Sequence, residues 1–188
     1  MAAFLKYCPK LQSKKISLNT RMKMFKIYIS SIFLYSSELW TLTKKLEHKI
    51  DVFQRQILKK ILKIKYPTTI RNETLYTKTN ETPWSEIIKT RRLRWTGHML
   101  RLPKQTPVRQ SLDEAKKYTK IQKINKRTWI KEINNNLIEI DEALSLDRVD
   151  ICYLAEDREW WRRNIVRGSS VVSSNDISQP RYLNRFKY

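Results

Sequence analysis

Glycine is the residue whose scarcity most constrains this chain. Only Gly97 and Gly168 occur among 188 residues, against roughly 7% glycine in an average protein. Tight turns and phosphate-cradling loops depend on glycine, so neither can be frequent here. No Gly-rich nucleotide loop and no G-x-S-x-G nucleophile turn is present in the sequence. Because long stretches also repeat apolar residues every three to four positions, we predict an all-α protein.

The periodic stretches predict five long helices and one short helix. Good capping residues precede three of them, namely Ser17, Thr43 and Thr82, and Thr82 is followed by Pro83 at the first helical position. The predicted helices cover residues 18–36, 44–65, 72–78, 83–102, 129–144 and 147–167. Three consecutive asparagines at 134–136 weaken the fifth of these helices, and Gly168 suits the C-cap of the last.

Positive charge is concentrated in the first two-thirds of the sequence. The chain carries +21 in total, with +12 over residues 1–70, +10 over 71–128 and −1 over 129–188. Such a charge repels itself unless a polyanion neutralises it, and the usual partners are nucleic acid and anionic membrane surfaces. No apolar run approaches the roughly 20 residues that span a bilayer, and Lys6 and Pro9 interrupt any signal-peptide core. We therefore expect nucleic acid as the partner and no membrane.

The residues that usually carry catalysis or bind metal are few and scattered. Cysteine and histidine occur only at positions 8, 48, 98 and 152, a spacing that excludes a zinc knuckle. Unpaired cysteines are typical of a reduced, intracellular setting, which includes the nucleus. No Asp-Asp pair is present, so two-metal nucleotidyl transfer lacks its carboxylates. Glu47 and Asp51 could share a cation, although relief of repulsion among lysines explains them more simply. We predict no catalytic residue, metal, cofactor or small-molecule ligand.

One basic segment, IIKTRRLRWTGHMLRL at residues 87–102, is the candidate centre of the chain. As a helix it has an apolar stripe and a basic stripe beside it. The apolar stripe consists of Trp84, Ile88, Trp95, Met99 and Leu102. The basic stripe consists of Arg91, Arg94, His98 and Arg101. Gly97 lies in mid-helix at a cost of about 1 kcal/mol relative to alanine, which indicates close approach of another backbone.

The helix predicted over 44–65 carries a second basic face. The residues that we expect to contact phosphates, in addition to the basic stripe, are Lys45, Lys49, Lys59 and Lys63. Arginine suits this role because its planar fork makes two parallel hydrogen bonds, and lysine adds a point charge. Tyr66, Trp84 and Trp95 could stack on bases, but the position of Trp95 on the apolar stripe favours a place in the core. For all of these basic residues the simpler alternative is a solvated surface without a partner.

Five blocks form a specific combination. They are AFLKY at 3–7, LYSSELW at 34–40, IKTRRLRWTGHMLR at 88–101, RTW at 127–129 and AEDREWWR at 155–162. Together with the basic helix between the second and third blocks, they resemble the segment that follows the catalytic palm in non-LTR, LINE-like retrotransposon endonuclease–reverse transcriptases. The third block is the most specific, and the resemblance covers about residues 2–167. Ser36 departs from a glycine of that family, and Lys123-Ile124-Asn125 departs from its Gly-Arg-Pro.

The resemblance implies a thumb, the helical unit that grips the primer–template duplex, with a C-terminal extension. On this basis we divide the chain into a thumb-like helical domain (1–102), a basic linker (103–127), a C-terminal helical extension (128–168) and a disordered tail (169–188). The sequence contains no F/Y-x-D-D box. The implied function is that of a fragment of an RNA-directed DNA polymerase, which binds a DNA or RNA duplex and polymerises only if a palm domain acts in trans.

Two other functions are compatible with parts of the sequence. A stand-alone helical adaptor would use the apolar stripes to bind a protein, and its basic residues would only keep it soluble. An active polymerase would need the catalytic carboxylates that this sequence lacks. The preference for DNA or RNA and any sequence specificity do not follow from charge.

Overall fold

The computed structural model describes residues 2–121, 128–142, 144–147 and 151–167. Within these ranges the chain is all-α and contains no strand, which confirms the predicted fold class. The helices are α1 Ala2–Leu11, α2 Leu18–Phe25 with its continuation through Lys26–Ser30 to Ser31–Phe33, α3 Lys44–Ile61, α4 Asn72–Thr79, α5 Trp84–Arg101, α6 Pro107–Ile121, α7 Trp129–Ile138, α8 Ile151–Glu156 and α9 Arg158–Trp160 with its continuation Trp161–Arg167. Both Lys26–Ser30 and Trp161–Arg167 are π-helical, and a 3₁₀ turn, Ser37–Leu39, leads from α2 toward α3.

The starts of α2 and α3 follow the sequence prediction. The Ser17 hydroxyl accepts a hydrogen bond from the Thr20 N–H at 3.2 Å. The Thr43 hydroxyl accepts from the Leu46 N–H at 3.3 Å. Both caps satisfy an N–H of the first helical turn with a side chain only three residues away, so local sequence is enough to specify them.

The start of α5 differs from the prediction that Thr82 is its N-cap. Pro83 occupies the cap position, and its side chain makes no capping hydrogen bond. Two residues of α3 cap the helix instead: Gln54 Oε1 accepts from the Trp84 N–H at 2.9 Å, and Asp51 Oδ1 accepts from the Ser85 N–H at 3.0 Å. Asp51 therefore binds the positive end of α5.

Helix α3 ends four residues before the predicted end. Lys63 has a φ of 58°, in the left-handed region, so it lies beyond the helix rather than on its face. The Ile64 N–H donates to the Lys59 carbonyl at 2.9 Å and the Lys63 N–H donates to the Lys60 carbonyl at 3.1 Å. This pair of bonds is a Schellman motif, which closes a helix without any help from the later proline.

The segment predicted as a linker contains helix α6. Pro107 stands at its first position, where the missing N–H costs nothing, so it starts this helix rather than preventing it. Leu112 is buried, and Arg109 is buried with its Nη1 donating to the Leu100 carbonyl at 2.9 Å. Helix α6 therefore packs against the rest of the chain through Arg109 and Leu112. Residues 122–127 lie outside the described residues.

The C-terminal helices are shorter than predicted. Helix α7 ends at Ile138, and one of its three asparagines, Asn134, accepts from the Leu146 N–H at 2.8 Å, which holds the chain that follows. The single helix predicted over 147–167 is interrupted at Asp157, whose carboxylate caps α9 by accepting from the Trp160 N–H at 2.9 Å. Gly168 and the tail predicted to be disordered lie outside the described residues.

Two apolar clusters form the core, and α5 belongs to both. The first cluster comprises buried side chains of α1, α2, α3 and α4 together with Trp84 and Ile88. The second comprises buried side chains of α6 to α9 together with Leu93, Met99 and Leu100. The packing partner of α5 therefore changes between residues 88 and 93, so this helix joins the two halves of the molecule. The division into domains with a boundary at residue 102 remains a prediction.

Gly97 lies in close contact with Trp161 of α9. A Cβ atom placed on Gly97 would be 2.5 Å from Trp161 Nε1 and 2.8 Å from its Cδ1 and Cε2. The indole N–H donates to the Leu93 carbonyl at 3.1 Å, which fixes the ring across the helix. The sequence correctly indicated a close approach at this glycine, but the approaching group is an indole ring and not another backbone.

Candidate nucleic-acid interface

Helix α5 is a central helix with only a narrow exposed strip. Eight of its residues are buried, namely Trp84, Ile88, Arg92, Leu93, Thr96, Gly97, Met99 and Leu100. Trp95 is half-buried against the second apolar cluster, as the sequence predicted. Trp84 is fully buried, so it cannot stack on a base, whereas Tyr66 is 95% exposed. The only exposed residues of α5 are Arg94 and His98, which are one turn apart.

Two members of the predicted basic stripe contact backbone carbonyls inside the protein. Arg91 Nη1 donates to the Leu34 carbonyl at 2.6 Å, and Arg101 Nη1 donates to the Ala155 carbonyl at 2.8 Å. Both side chains are half-buried. Burial lowers the pKa of Arg101, and the positive charge of Arg158 lowers it further. Arg91 holds the residue that follows α2 against α5, and Arg101 holds α8 there. These contacts leave only part of each guanidinium for an external anion.

Arg92, which sequence analysis did not select, is the most buried arginine of α5. It is 1% exposed. Its Nη1 donates to Asn136 Oδ1 at 2.8 Å and its Nη2 donates to the Trp40 carbonyl at 2.8 Å. The buried carboxylate of Glu132 lies 3.7 Å from Nη1. Arg92 thus joins α5 to α7 and to the turn before α3, and its role is structural.

The lysines selected on α3 form an exposed face. With 100° per residue, Lys45, Lys49 and Lys59 fall within about 80° of arc, on the side opposite the buried residues Gln54, Ile57, Leu58 and Ile61. Lys45 and Lys49 are exposed and Lys59 is half-buried. Lys63 is exposed just beyond the end of the helix. Within the described part of the chain, none of these four lysine side chains forms an ion pair or hydrogen bond. We call these four residues the α3 lysine face.

Two neighbouring lysines, Lys44 and Lys89, differ from the α3 lysine face because they lie beside acidic side chains. Lys89 Nζ donates to Glu139 Oε2 at 2.6 Å, and Lys44 Nζ lies 3.7 Å from Glu139 Oε1 and 3.4 Å from Glu47 Oε2. Burial alone would raise the pKa of Glu139, but the hydrogen bond from Lys89 and the charges of both lysines lower it overall. Acidic groups therefore neutralise these two lysines, in contrast with the α3 lysine face.

Among the described residues, no group of three or more His, Cys, Asp or Glu side chains could hold a metal ion. Cys8 and Cys152 are free thiols. The centroid of the His98 ring lies 5.2 Å from that of the Trp95 ring, and His98 is exposed. No described helix combines the length and the apolar character needed to cross a membrane.

Comparisons with protein-family models, curated proteins and solved structures give no match to this chain.

One sequence signal could have identified Arg92 as a structural arginine. Arg92 lies four residues after Ile88 and four before Thr96, on the same side of α5. Its burial follows from the helical period once α5 is known to pack on several sides. No comparable signal distinguishes Arg91 and Arg101, because their partners are backbone carbonyls of distant segments.

Proposed function

We propose that this protein binds nucleic acid through its phosphate backbone, using the α3 lysine face and the exposed pair Arg94 and His98. The observation that carries this proposal is the α3 lysine face itself. Three of its four cations are exposed and one is half-buried, and no acidic side chain of the described chain neutralises them. A formal charge of +21 makes such a face a strong attractor for a polyanion.

The dimensions of α3 fit a nucleic-acid strand. Lys45 and Lys59 are 14 residues apart, which corresponds to about 21 Å along the helix. Phosphates of one strand of a duplex rise by about 3.4 Å per nucleotide, so the face spans roughly six of them. Contacts of this kind position a protein on nucleic acid without reading bases. We therefore expect binding that depends strongly on salt and weakly on sequence.

The five sequence blocks also support a proposal about the evolutionary origin of the chain. We propose that the chain is a thumb and post-thumb fragment of a non-LTR retrotransposon reverse transcriptase, and that it acts in the nucleus or elsewhere inside the cell. It has none of the palm carboxylates, so it is proposed to be inactive as a polymerase alone and to require a palm domain in trans. The most specific of the five blocks, residues 88–101, lies on α5, the helix shared by both clusters.

A matched pair of double variants tests the binding site. We expect Lys45→Ala with Lys49→Ala to weaken filter binding of a 30-nucleotide duplex at least tenfold at 100 mM salt, because two direct contacts are lost. Lys44→Ala with Lys89→Ala removes the same formal charge from lysines that Glu139 already neutralises. Its effect should be clearly smaller. Equal effects of the two pairs would mean that only the total charge matters.

A specific observation favours the adaptor as a second candidate. The outer side of α2 and the following turn expose Ile27, Ile32, Tyr35 and Leu39, with Ile27 and Ile32 each 62% exposed. An apolar surface of this kind is typical of a contact with another protein. An adaptor complex should survive about 1 M salt, where the screening length falls to about 3 Å, whereas a phosphate contact should not.

A further inference from the structure

A cleft lies between the π-helical segment of α2, the loop before α5 and the first half of α5. Its volume is about 310 Å³, at the lower end of the range for small-ligand pockets, roughly 300–1,000 Å³. Its wall has an apolar part, Leu34 and Ile87, and a polar part, Ser30, Lys26, Glu81 and Arg91. π-Helical segments within α-helices frequently mark functional sites.

Two polar atoms of this cleft lack a hydrogen-bond partner within the described chain. Glu81 Oε1 is buried on a side chain that is 3% exposed, and its ion-pair partner Lys26 Nζ lies 3.5 Å away. Burial raises the pKa of Glu81 to about 7, although the charge of Lys26 opposes this. The second atom is the Oγ of Ser30, a residue that is 8% exposed; this hydroxyl also has no hydrogen-bond partner within the described chain. A buried polar group without a partner costs about 1–3 kcal/mol, so both atoms favour a ligand with hydroxyl or amide groups.

Two cations accompany these polar atoms. Lys26 is half-exposed, and its Nζ donates to the Asn80 carbonyl at 3.4 Å, so it is held near Glu81. One nitrogen of Arg91 is fixed by the Leu34 carbonyl, and a guanidinium has five N–H donors. The bond to Leu34 orients the fork, and the remaining donors suit an oxyanion. The cleft therefore presents separate places for an anion and for a hydroxyl.

The combination excludes several ligand classes. A metal cation is opposed by Lys26 and Arg91, and a basic peptide is opposed by the net charge of the chain. A simple inorganic anion would leave Glu81 and Ser30 without hydroxyl or amide partners. A ribose phosphate satisfies every group, because its hydroxyls donate as well as accept and its phosphate needs cations. Carboxylates bind ribose 2′-hydroxyls in this way in dinucleotide sites.

We propose that this cleft binds a ribonucleotide unit, with its phosphate on Lys26 and Arg91 and a ribose hydroxyl on Glu81 and Ser30. The inference deepens the proposed function and rests on it, since it makes RNA the preferred nucleic acid. Tyr35 follows Leu34 directly and is 79% exposed, so it offers a stacking surface for a neighbouring base of the strand.

Fluorescence anisotropy with the full chain tests the inference. The probes are a single-stranded RNA, DNA of the same sequence, the 2′-O-methyl form of that RNA and a free ribonucleoside monophosphate. We expect RNA to bind about tenfold more tightly than DNA or the methylated strand, as the loss of one hydrogen bond to a charged acceptor predicts. If the free monophosphate displaces the labelled RNA, the cleft binds single nucleotides. If only unlabelled RNA displaces it, the cleft binds nucleotides that are part of an RNA strand.

Glu81→Met should remove the preference for RNA and leave DNA binding unchanged, because methionine keeps the length and removes the acceptor. Glu81→Gln retains a carbonyl acceptor and should keep most of the preference. Circular dichroism melting checks that both variants fold. RNA and DNA affinities that are equal, and unaffected by Glu81→Met, would overturn the inference. If DNA binding then still depended on Lys45 and Lys49, the proposed function would stand without it. If the RNA preference depended on Glu81 but binding did not depend on Lys45 and Lys49, the cleft would stand and the α3 lysine face would be excluded as the binding site.

Discussion

At the scale of single residues, the contact between Gly97 and Trp161 is the tightest constraint on the sequence. The indole ring occupies the space that any side chain at position 97 would need. Its bond to the Leu93 carbonyl keeps it there. The ring belongs to the second apolar cluster, so a change at Gly97 affects how α9 packs against α5.

We predict that Gly97→Ala lowers the free energy of unfolding by about 2 kcal/mol. Overpacking typically costs about 1–3 kcal/mol, and the gain in helix propensity of up to ~1 kcal/mol offsets only part of it. Urea denaturation measures the change. In a Trp161→Leu background the same substitution should become neutral or stabilising. An equal loss in both backgrounds would show that the indole is not the cause.

Ser36 has the left-handed backbone that glycine adopts at no cost. Its φ is 51° and its ψ is 24°, and it stands where the resembled family has glycine. We predict that Ser36→Gly raises the free energy of unfolding by about 0.5–1 kcal/mol, because the strain of the left-handed conformation is removed. Ser31→Gly is the matched control at a right-handed position, with a φ of −63°. It should destabilise the protein by about the same amount.

Glu81 should make stability fall as the pH rises. Its pKa is raised from 4.5 to about 7 by burial in the folded protein, so the folded state binds more protons than the unfolded state between these values. Stability is therefore highest below about pH 4.5 for this group and declines until about pH 7, by at most about 3 kcal/mol. Glu81→Gln stays neutral and should be more stable than wild type at pH 8, with a smaller difference at pH 5. Chemical denaturation at both pH values measures this, and a pH-independent difference would contradict it.

At the scale of helices, α5 is defined by contacts that come from other elements. Local sequence was sufficient for the caps at Ser17 and Thr43, because the partner N–H lies within one turn. It was insufficient for the start of α5, which is capped by Asp51 and Gln54 from a helix 30 or more residues away. The same reason explains why Arg92 was missed, since period alone does not show that a polar residue has buried partners.

Arg92 and Glu132 connect α5 to α7 through a buried ion pair. We predict that Arg92→Met lowers the free energy of unfolding by about 3–5 kcal/mol, because Glu132 then remains buried without the guanidinium 3.7 Å away. The double variant Arg92→Met with Glu132→Met should recover at least half of the loss, as apolar replacements of buried pairs are often tolerated. Urea denaturation of the single and double variants provides the comparison. A double variant as unstable as the sum of its single changes would show that the two charges act independently.

At the scale of the whole molecule, packing decides which cations are free to bind. Four arginines lie close together in one sequence block, yet Arg92 is buried, Arg91 and Arg101 are half-buried on carbonyls, and only Arg94 is exposed. Composition and periodicity predicted the all-α class, which the structure confirms. The polyanion partner, which was inferred from total charge, remains a prediction. The exposure of an individual arginine depends on which segment folds over it, and one sequence does not contain that information in a readable form.

The α3 lysine face is the part of the candidate site for which sequence and structure agree best. Lys45, Lys49 and Lys59 share one side of α3, as the periodicity predicted, and only Lys63 differs because the helix ends before it. The reason for the success is that a helix packed on one side keeps its other side exposed. Helix α5, packed on several sides, does not follow that rule.

The salt dependence of nucleic-acid binding tests whether the α3 lysine face contacts phosphates. Filter binding of a duplex between 50 and 300 mM salt gives the slope of log affinity against log salt for wild type and for the Lys45→Ala, Lys49→Ala and Lys59→Ala triple variant. Each lost phosphate contact should reduce the magnitude of the slope by about 0.9, so we predict a decrease of between two and three. An unchanged slope, with the triple variant folded, would contradict the account and would leave the α3 lysine face as a solvated surface.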